Sequence, residues 1–88
     1  MLGKHMAGYW RWQTRAGTAS MVFSPRARNY RLHLADDDLG GYRLPQQAVD
    51  DFCGGHTFAP SSGVDTATLG TPADLGDWEF VRRASLRP

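Results

Sequence analysis

The sequence contains no isoleucine, a single cysteine and no apolar run approaching the ~18 residues that a membrane-spanning helix needs. One thiol cannot build a disulfide scaffold, and a lone Cys53 suits a reducing cytoplasm, which is the expected location. Lys4 is followed by no apolar stretch, so no secretory leader is expected. Leu, Val and Phe supply only 16 of the 88 residues. So little aliphatic bulk signals disorder when net charge is high, but the formal net charge here is +1. Three Trp and three Tyr replace the missing aliphatics, so a small aromatic core is expected. A mass of 9.8 kDa leaves room for one such core and excludes a multi-domain enzyme. Residues 1–5 read as a vector-derived remnant, residues 6–81 as the domain and residues 82–88 as a flexible tail.

Charge is unevenly distributed. Residues 1–45 hold Lys4 and six arginines against Asp36, Asp37 and Asp38, a net of +4. Residues 46–88 hold three arginines against six carboxylates, a net of −3. Such a split either marks an anion-binding half or lets the two halves attract each other.

Alternation over residues 8–15 predicts a strand with Trp10, Trp12 and Thr14 on one side and Tyr9, Arg11, Gln13 and Arg15 on the other. Ala16-Gly17 is a turn signal. Residues 18–24 form a second strand with Ala19, Met21 and Phe23 on one face, stopped by Pro25. Residues 26–29 are a polar loop, and residues 30–35 a third strand with Tyr30, Leu32 and Leu34 inward and Arg31 and His33 outward. Asp36-Asp37-Asp38 reads as a turn and residues 39–43 as a short fourth strand weakened by Gly40-Gly41. Pro45 suits the first position of a helix continuing through Cys53. Ala48, Val49, Phe52 and Cys53 give it one apolar stripe, and Gly54-Gly55 ends it. Residues 56–70 read as loop. Thr71-Pro72-Ala73-Asp74 resembles a helix start, while residues 78–81 suit either that helix or a last strand. The fold class is therefore α+β: a three- or four-stranded antiparallel sheet, one short helix on one face, and a long C-terminal loop with a second short helix. Trp10, Trp12, Met21, Phe23, Leu32, Leu34 and Phe52 are the expected interior, and loss of Trp12 is expected to cost more than about 3 kcal/mol.

The strongest functional signal is the outer sheet face. Arg11, Gln13 and Arg15 would sit beside Arg31 and His33, with Ser20 and Val22 between them and no acidic residue. Guanidinium groups can neutralise phosphates, and Arg and Gln can reach base edges. The plain alternative is a solvated face decorated with charge, as antiparallel sheets often have. Trp10 and Trp12 would be a stacking platform for bases only if the strand were inverted; otherwise they are core.

Three strands followed by a helix, with Leu39-Gly40-Gly41-Tyr42 leading into Leu44-Pro45-Gln46-Gln47-Ala48-Val49-Asp50-Asp51, is similar to the AP2-like domains of plant transcription factors. It also resembles the arm-binding N-terminal domains of tyrosine integrases, and covers about residues 9–55. That resemblance implies a triple-stranded sheet laid in the major groove, with Arg11, Gln13, Arg15 and Arg31 at the positions of the sheet contacts. The Gly40-Gly41 doublet, the short helix and the C-terminal continuation depart from the pattern. The stretch from Gly41-Tyr42 to Val64-Asp65 looks like short uncharacterised bacterial proteins, a similarity that implies no activity.

Other constellations are thinner. Cys53-Gly54-Gly55-His56, even with His33, lacks the four ligands of a closed zinc site, so no metal or other cofactor is expected. Ser61, Ser62 and Cys53 beside His56 form no nucleophile elbow, and so short a chain has little volume for a closed pocket, so no enzyme is expected. Pro60-Ser61-Ser62-Gly63 is either a phosphate nest or an ordinary turn. Arg82-Arg83-Ala84-Ser85-Leu86 matches the pattern read by basophilic protein kinases. The sequence thus points to a non-enzymatic binding module for nucleic acid, a monomer or weak homodimer with no membrane contact. The alternative is a small protein-interaction or inhibitor domain that uses a sheet edge or the loop at residues 56–70.

Overall fold

A computed structural model describes residues 8–82. Residues 1–5, and all of the kinase-type motif after Arg82, lie outside the described residues. The chain forms β1 (Gly8–Thr14), β2 (Gly17–Ser24), β3 (Asn29–Leu34), β4 (Asp37–Tyr42), α1 (Pro45–Gly54) and β5 (Glu79–Arg82). Two single-turn 3-10 helices, Thr66–Thr68 and Leu75–Asp77, interrupt the long connection between α1 and β5. The architecture is α+β, with one antiparallel sheet of five strands in the order β4-β3-β2-β1-β5.

Parity is as the alternation requires. Trp10 and Thr14 on β1, Ala19 and Met21 on β2, and Leu32 and Leu34 on β3 are buried, while Arg11 and Gln13 are exposed. The register places Trp10 opposite Met21 and Met21 opposite Leu32, so these apolar side chains share one face. The helix lays Ala48, Val49 and Phe52 on that face and contacts β3, β4 and both 3-10 turns. Leu39, Leu69 and Trp78 complete the core. Phe52 meets Trp78 edge-to-face, ring centroids 6.0 Å apart. Two members of the expected interior are more peripheral. Trp12 is half-buried against the core, and Phe23 is half-buried against Tyr30, with ring centroids 5.3 Å apart. Trp10, at 8% exposed, is the more buried of the two indoles.

The helix is only ten residues long, so it depends on this packing. Its start carries no side-chain cap from Leu44. Instead the Gln47 side chain accepts from the Leu44 amide at 3.3 Å. Its end is set by Gly55 at φ 74, which lets the His56 amide donate to the Asp51 carbonyl at 2.9 Å.

Two local expectations are corrected and one open alternative is resolved. The reversal after β3 takes only Ala35 and Asp36, because Ala35 adopts φ 53 and closes the turn in two residues. Asp37 and Asp38 consequently open β4. The stretch beginning Thr71-Pro72 makes no α-helix: Asp74 accepts from the Gly76 amide and supports a single 3-10 turn. Trp78 then folds into the core with its indole N–H donating to the Pro72 carbonyl at 3.0 Å, and residues 79–82 become a fifth strand.

The edge of β4 is partly covered. The Phe58 amide donates to the Leu39 carbonyl at 3.3 Å, and Ser61 binds the Asp37 side chain. Among the described residues no helix is long and apolar enough to cross a membrane.

Candidate nucleic-acid interface

With α1 and the buried side chains on one side of the sheet, the opposite face presents Tyr9, Arg11, Gln13, Ser20, Val22, Arg31, His33, Glu79 and Val81, none of them buried. The register brings four of the five expected contact residues together. Arg11 and Ser20 are cross-strand partners, as are Ser20 and His33, and Val22 and Arg31. The central strand β2 contributes only small side chains there, so the surface is low along β2 and higher on both flanks.

The face carries acid, which the parity reading did not anticipate. Arg11 Nε donates to Glu79 Oε1 at 2.8 Å across the β1–β5 pair. Arg31 approaches Asp38 with two donors, Nη2 to Oδ1 at 2.8 Å and Nε to Oδ2 at 3.2 Å. Both carboxylates arrive through elements that the sequence had not defined: β5 brings Glu79, and the early start of β4 brings Asp38. The Arg31 hydrogen bond holds the Asp38 carboxyl below its ordinary range, helped by the Gly40 amide. The bond to Glu79 likewise raises the Arg11 guanidinium.

The other expected residues divide. Gln13 stays on the face, where its Oε1 accepts from Thr18 Oγ1 at 2.6 Å. His33 stands opposite both Ser20 and Asp38. Arg15 leaves the face. β1 ends at Thr14, so Arg15 occupies a turn position where alternation no longer applies. Its guanidinium donates to the Thr68 carbonyl at 2.8 Å and to Thr68 Oγ1 at 3.1 Å, joining the β1–β2 turn to the first 3-10 turn.

The remaining constellations are not assembled. Cys53 Sγ lies 3.2 Å from Thr71 Oγ1 and within sulfur hydrogen-bond range of the Thr71 and Pro72 carbonyls, whereas His56 is exposed just past the helix. Ser61 donates both its amide and its hydroxyl to Asp37 Oδ2, each at 2.9 Å. The anion held by the Pro60-Ser61-Ser62-Gly63 turn is thus a carboxylate of the chain itself. Among the described residues no three metal-ligating side chains converge and no cavity is enclosed.

Four arginines lie outside the expected contact set: Arg26, Arg28, Arg43 and Arg82. All are exposed, and none of their side chains has an ion-pair or hydrogen-bond partner among the described residues. Arg26 and Arg28 fall in the expected loop, Arg43 ends the expected fourth strand, whose faces were not assigned, and Arg82 opens the expected tail. For Arg26, Arg28 and Arg43 the available signal was the absence of any Asp or Glu from residues 8–35 and 39–49; Arg82 lies outside both stretches. Comparison of the chain with protein-family models, curated proteins and solved structures finds no match.

Proposed function

We propose that this chain is a non-enzymatic binding module that docks nucleic acid on the outer face of its sheet. The observation that carries the reading is the open five-stranded face with small side chains along β2 and guanidinium groups on both flanks. Arg11 and Arg31 are each held by one carboxylate in a solvent-accessible pair. Both pairs are open to water, so a phosphate can compete with each carboxylate for its guanidinium. Gln13 on β1 and His33 on β3 add hydrogen-bonding groups along the same two flanks. The dispersal of Cys53, His56 and Ser61 supports a binding role over catalysis. The free thiol of Cys53 suits a reducing compartment such as the cytoplasm.

Fluorescence anisotropy with a labelled mixed-sequence DNA duplex at low salt tests the reading. Binding that weakens when Arg11 and Arg31 are both changed to Gln is the expected result. Unchanged binding by that double variant refutes the proposed face.

A second reading, a protein partner added at a sheet edge, is favoured by the contrast between the edges. Loop residues Phe58 and Ser61 cover part of β4, whereas β5 pairs only with β1 among the described strands. Amides of residues 79–82 that exchange as fast in a native lysate as in buffer refute that reading.

A further inference from the structure

We infer that one end of the sheet, the end carrying Arg26, Arg28, Arg43 and Arg82, is the site that grips the phosphate backbone of a nucleic-acid duplex. The inference rests on the nucleic-acid reading above but assigns the grip to different residues. Strand register places the four together. Gly8 pairs with Arg82, Ser24 with Asn29, and Tyr30 with Tyr42. The end of β5, the connection at residues 25–28 and the residue just after β4 therefore all lie at the same end. Arg82 and Arg43 border opposite edges of a five-stranded sheet, about 19 Å apart at the ordinary strand spacing. Arg26 and Arg28 fall between them.

Among the described residues no carboxylate pairs with the arginines at this end, and Asp51, which reaches Tyr42 there, accepts from its hydroxyl. Of the seven arginines in the described residues, Arg11, Arg15 and Arg31 have partners and lie elsewhere. The four without partners are the four gathered here. Asp36, Asp37 and Asp38 sit at the opposite end, where Leu34 pairs with Asp37. The sheet is thus polarised along its strands, and its field orients an approaching polyanion toward the arginine end. The guanidinium is also the side chain best matched to phosphate, because its planar fork donates two parallel hydrogen bonds.

Arg28 adds an independent indication. It holds φ 59 in the turn closed by its own amide donating to the Ser24 carbonyl at 2.7 Å. That left-handed conformation favours Gly or Asn. An arginine there serves the turn less well than glycine would, so its side chain is the better explanation for its presence.

The partner is a duplex. Binding of single strands relies on exposed aromatic platforms. At this end Phe23, Tyr30 and Tyr42 are half-buried, while the exposed Phe58 lies beside Leu39 and Gly40. Backbone contacts by four cations carry no base readout, so the grip is independent of sequence.

The test measures anisotropy with a labelled mixed-sequence DNA duplex and its single strand across a salt series. Four phosphate contacts predict a log–log salt slope near −3.6, or roughly 150-fold weaker binding for a fourfold rise in salt. Arg28→Gly should make the slope shallower by about 0.9 while leaving the melting temperature equal or higher. Changing Arg26, Arg28, Arg43 and Arg82 together to Gln should abolish binding with circular dichroism unchanged. The Arg11→Gln/Arg31→Gln variant separates this inference from the outer-face reading. If the face variant loses binding and the four-arginine variant keeps it, the end-site inference falls and the face survives. The converse result supports the end site and removes the face. Loss in both variants supports both. No duplex binding by the wild-type chain at low salt overturns both, and tighter binding of the single strand overturns the duplex assignment.

Discussion

Replacing Trp10 and Trp12 separately by Ala tests the packing that orients the whole sheet. The two indoles point to the same side of β1 but differ in burial: Trp10 is 8% exposed, and Trp12 is half-buried. Trp10 also makes edge-to-face contacts with Phe80, centroids 5.0 Å apart, and with Tyr30 at 6.2 Å. Truncating a buried Trp costs about 3–5 kcal/mol, toward which two such ring contacts contribute roughly 0.5–1.5 kcal/mol each. For a domain of this size that is a fall in melting temperature of roughly 12–40 °C. Trp12 leaves more of its surface in water than Trp10 does, so its loss should cost less. Arg11, between them and facing outward, should destabilise least of the three when changed to Ala, since its pair with Glu79 is exposed. Urea unfolding followed by far-ultraviolet circular dichroism ranks the three variants without relying on indole fluorescence. The order Trp10, Trp12, Arg11 is required. A Trp12 variant at least as destabilised as the Trp10 variant would refute the placement of the core.

Gly8→Ala would drive a methyl into the Val81 carbonyl, so β5 should detach and its amides lose hydrogen-exchange protection; retained protection contradicts the β1–β5 register. Thr66→Val removes the buried hydrogen bond from Thr66 Oγ1 to the Phe52 carbonyl (2.7 Å) and should cost about 1–3 kcal/mol in denaturant unfolding. The Tyr42 hydroxyl, part-buried and donating to Asp51 at 2.9 Å, has its pKa pushed up to about 12, by desolvation first and by Asp51 second. Its folded pKa exceeds the unfolded value near 10, so the folded state holds the extra proton and stability should fall as pH rises from about 10 to about 12. Tyr42→Phe should flatten that fall. Asp38 has the opposite sign: the Arg31 bond lowers its pKa, so its contribution is present above the ordinary aspartate range and disappears as pH drops through the lowered value. An Asp38→Asn variant as acid-sensitive as wild type would exclude this contribution.

The local chemistry of the chain was sufficient for the first three strands and the helix. Alternation across residues 9–14 fixes which side chains of β1 face inward, because a strand has a period of two whatever surrounds it. Pro45, the stripe of Ala48, Val49 and Phe52, and the glycines that follow define a helix for equally local reasons. The turn that opens β4 was misplaced because Ala35 takes a left-handed conformation that its residue type does not announce. Residues 78–82 were ambiguous because a four-residue strand has too little periodicity to declare itself, and its pairing partner is about 70 residues away in the chain.

The candidate interface divides along the same line. Period alone placed Arg11, Gln13, Arg31 and His33 on one face, and the acid-free stretches in the first half of the chain set where cationic character concentrates. Which arginines remain unpaired was decided only in three dimensions. Glu79 reaches Arg11 through a long-range strand pair, Asp38 reaches Arg31 across a hairpin, and Thr68 captures Arg15 from a distant 3-10 turn. A hydrogen-bond partner is a matter of distance in space, and alternation along a strand carries no information about that distance.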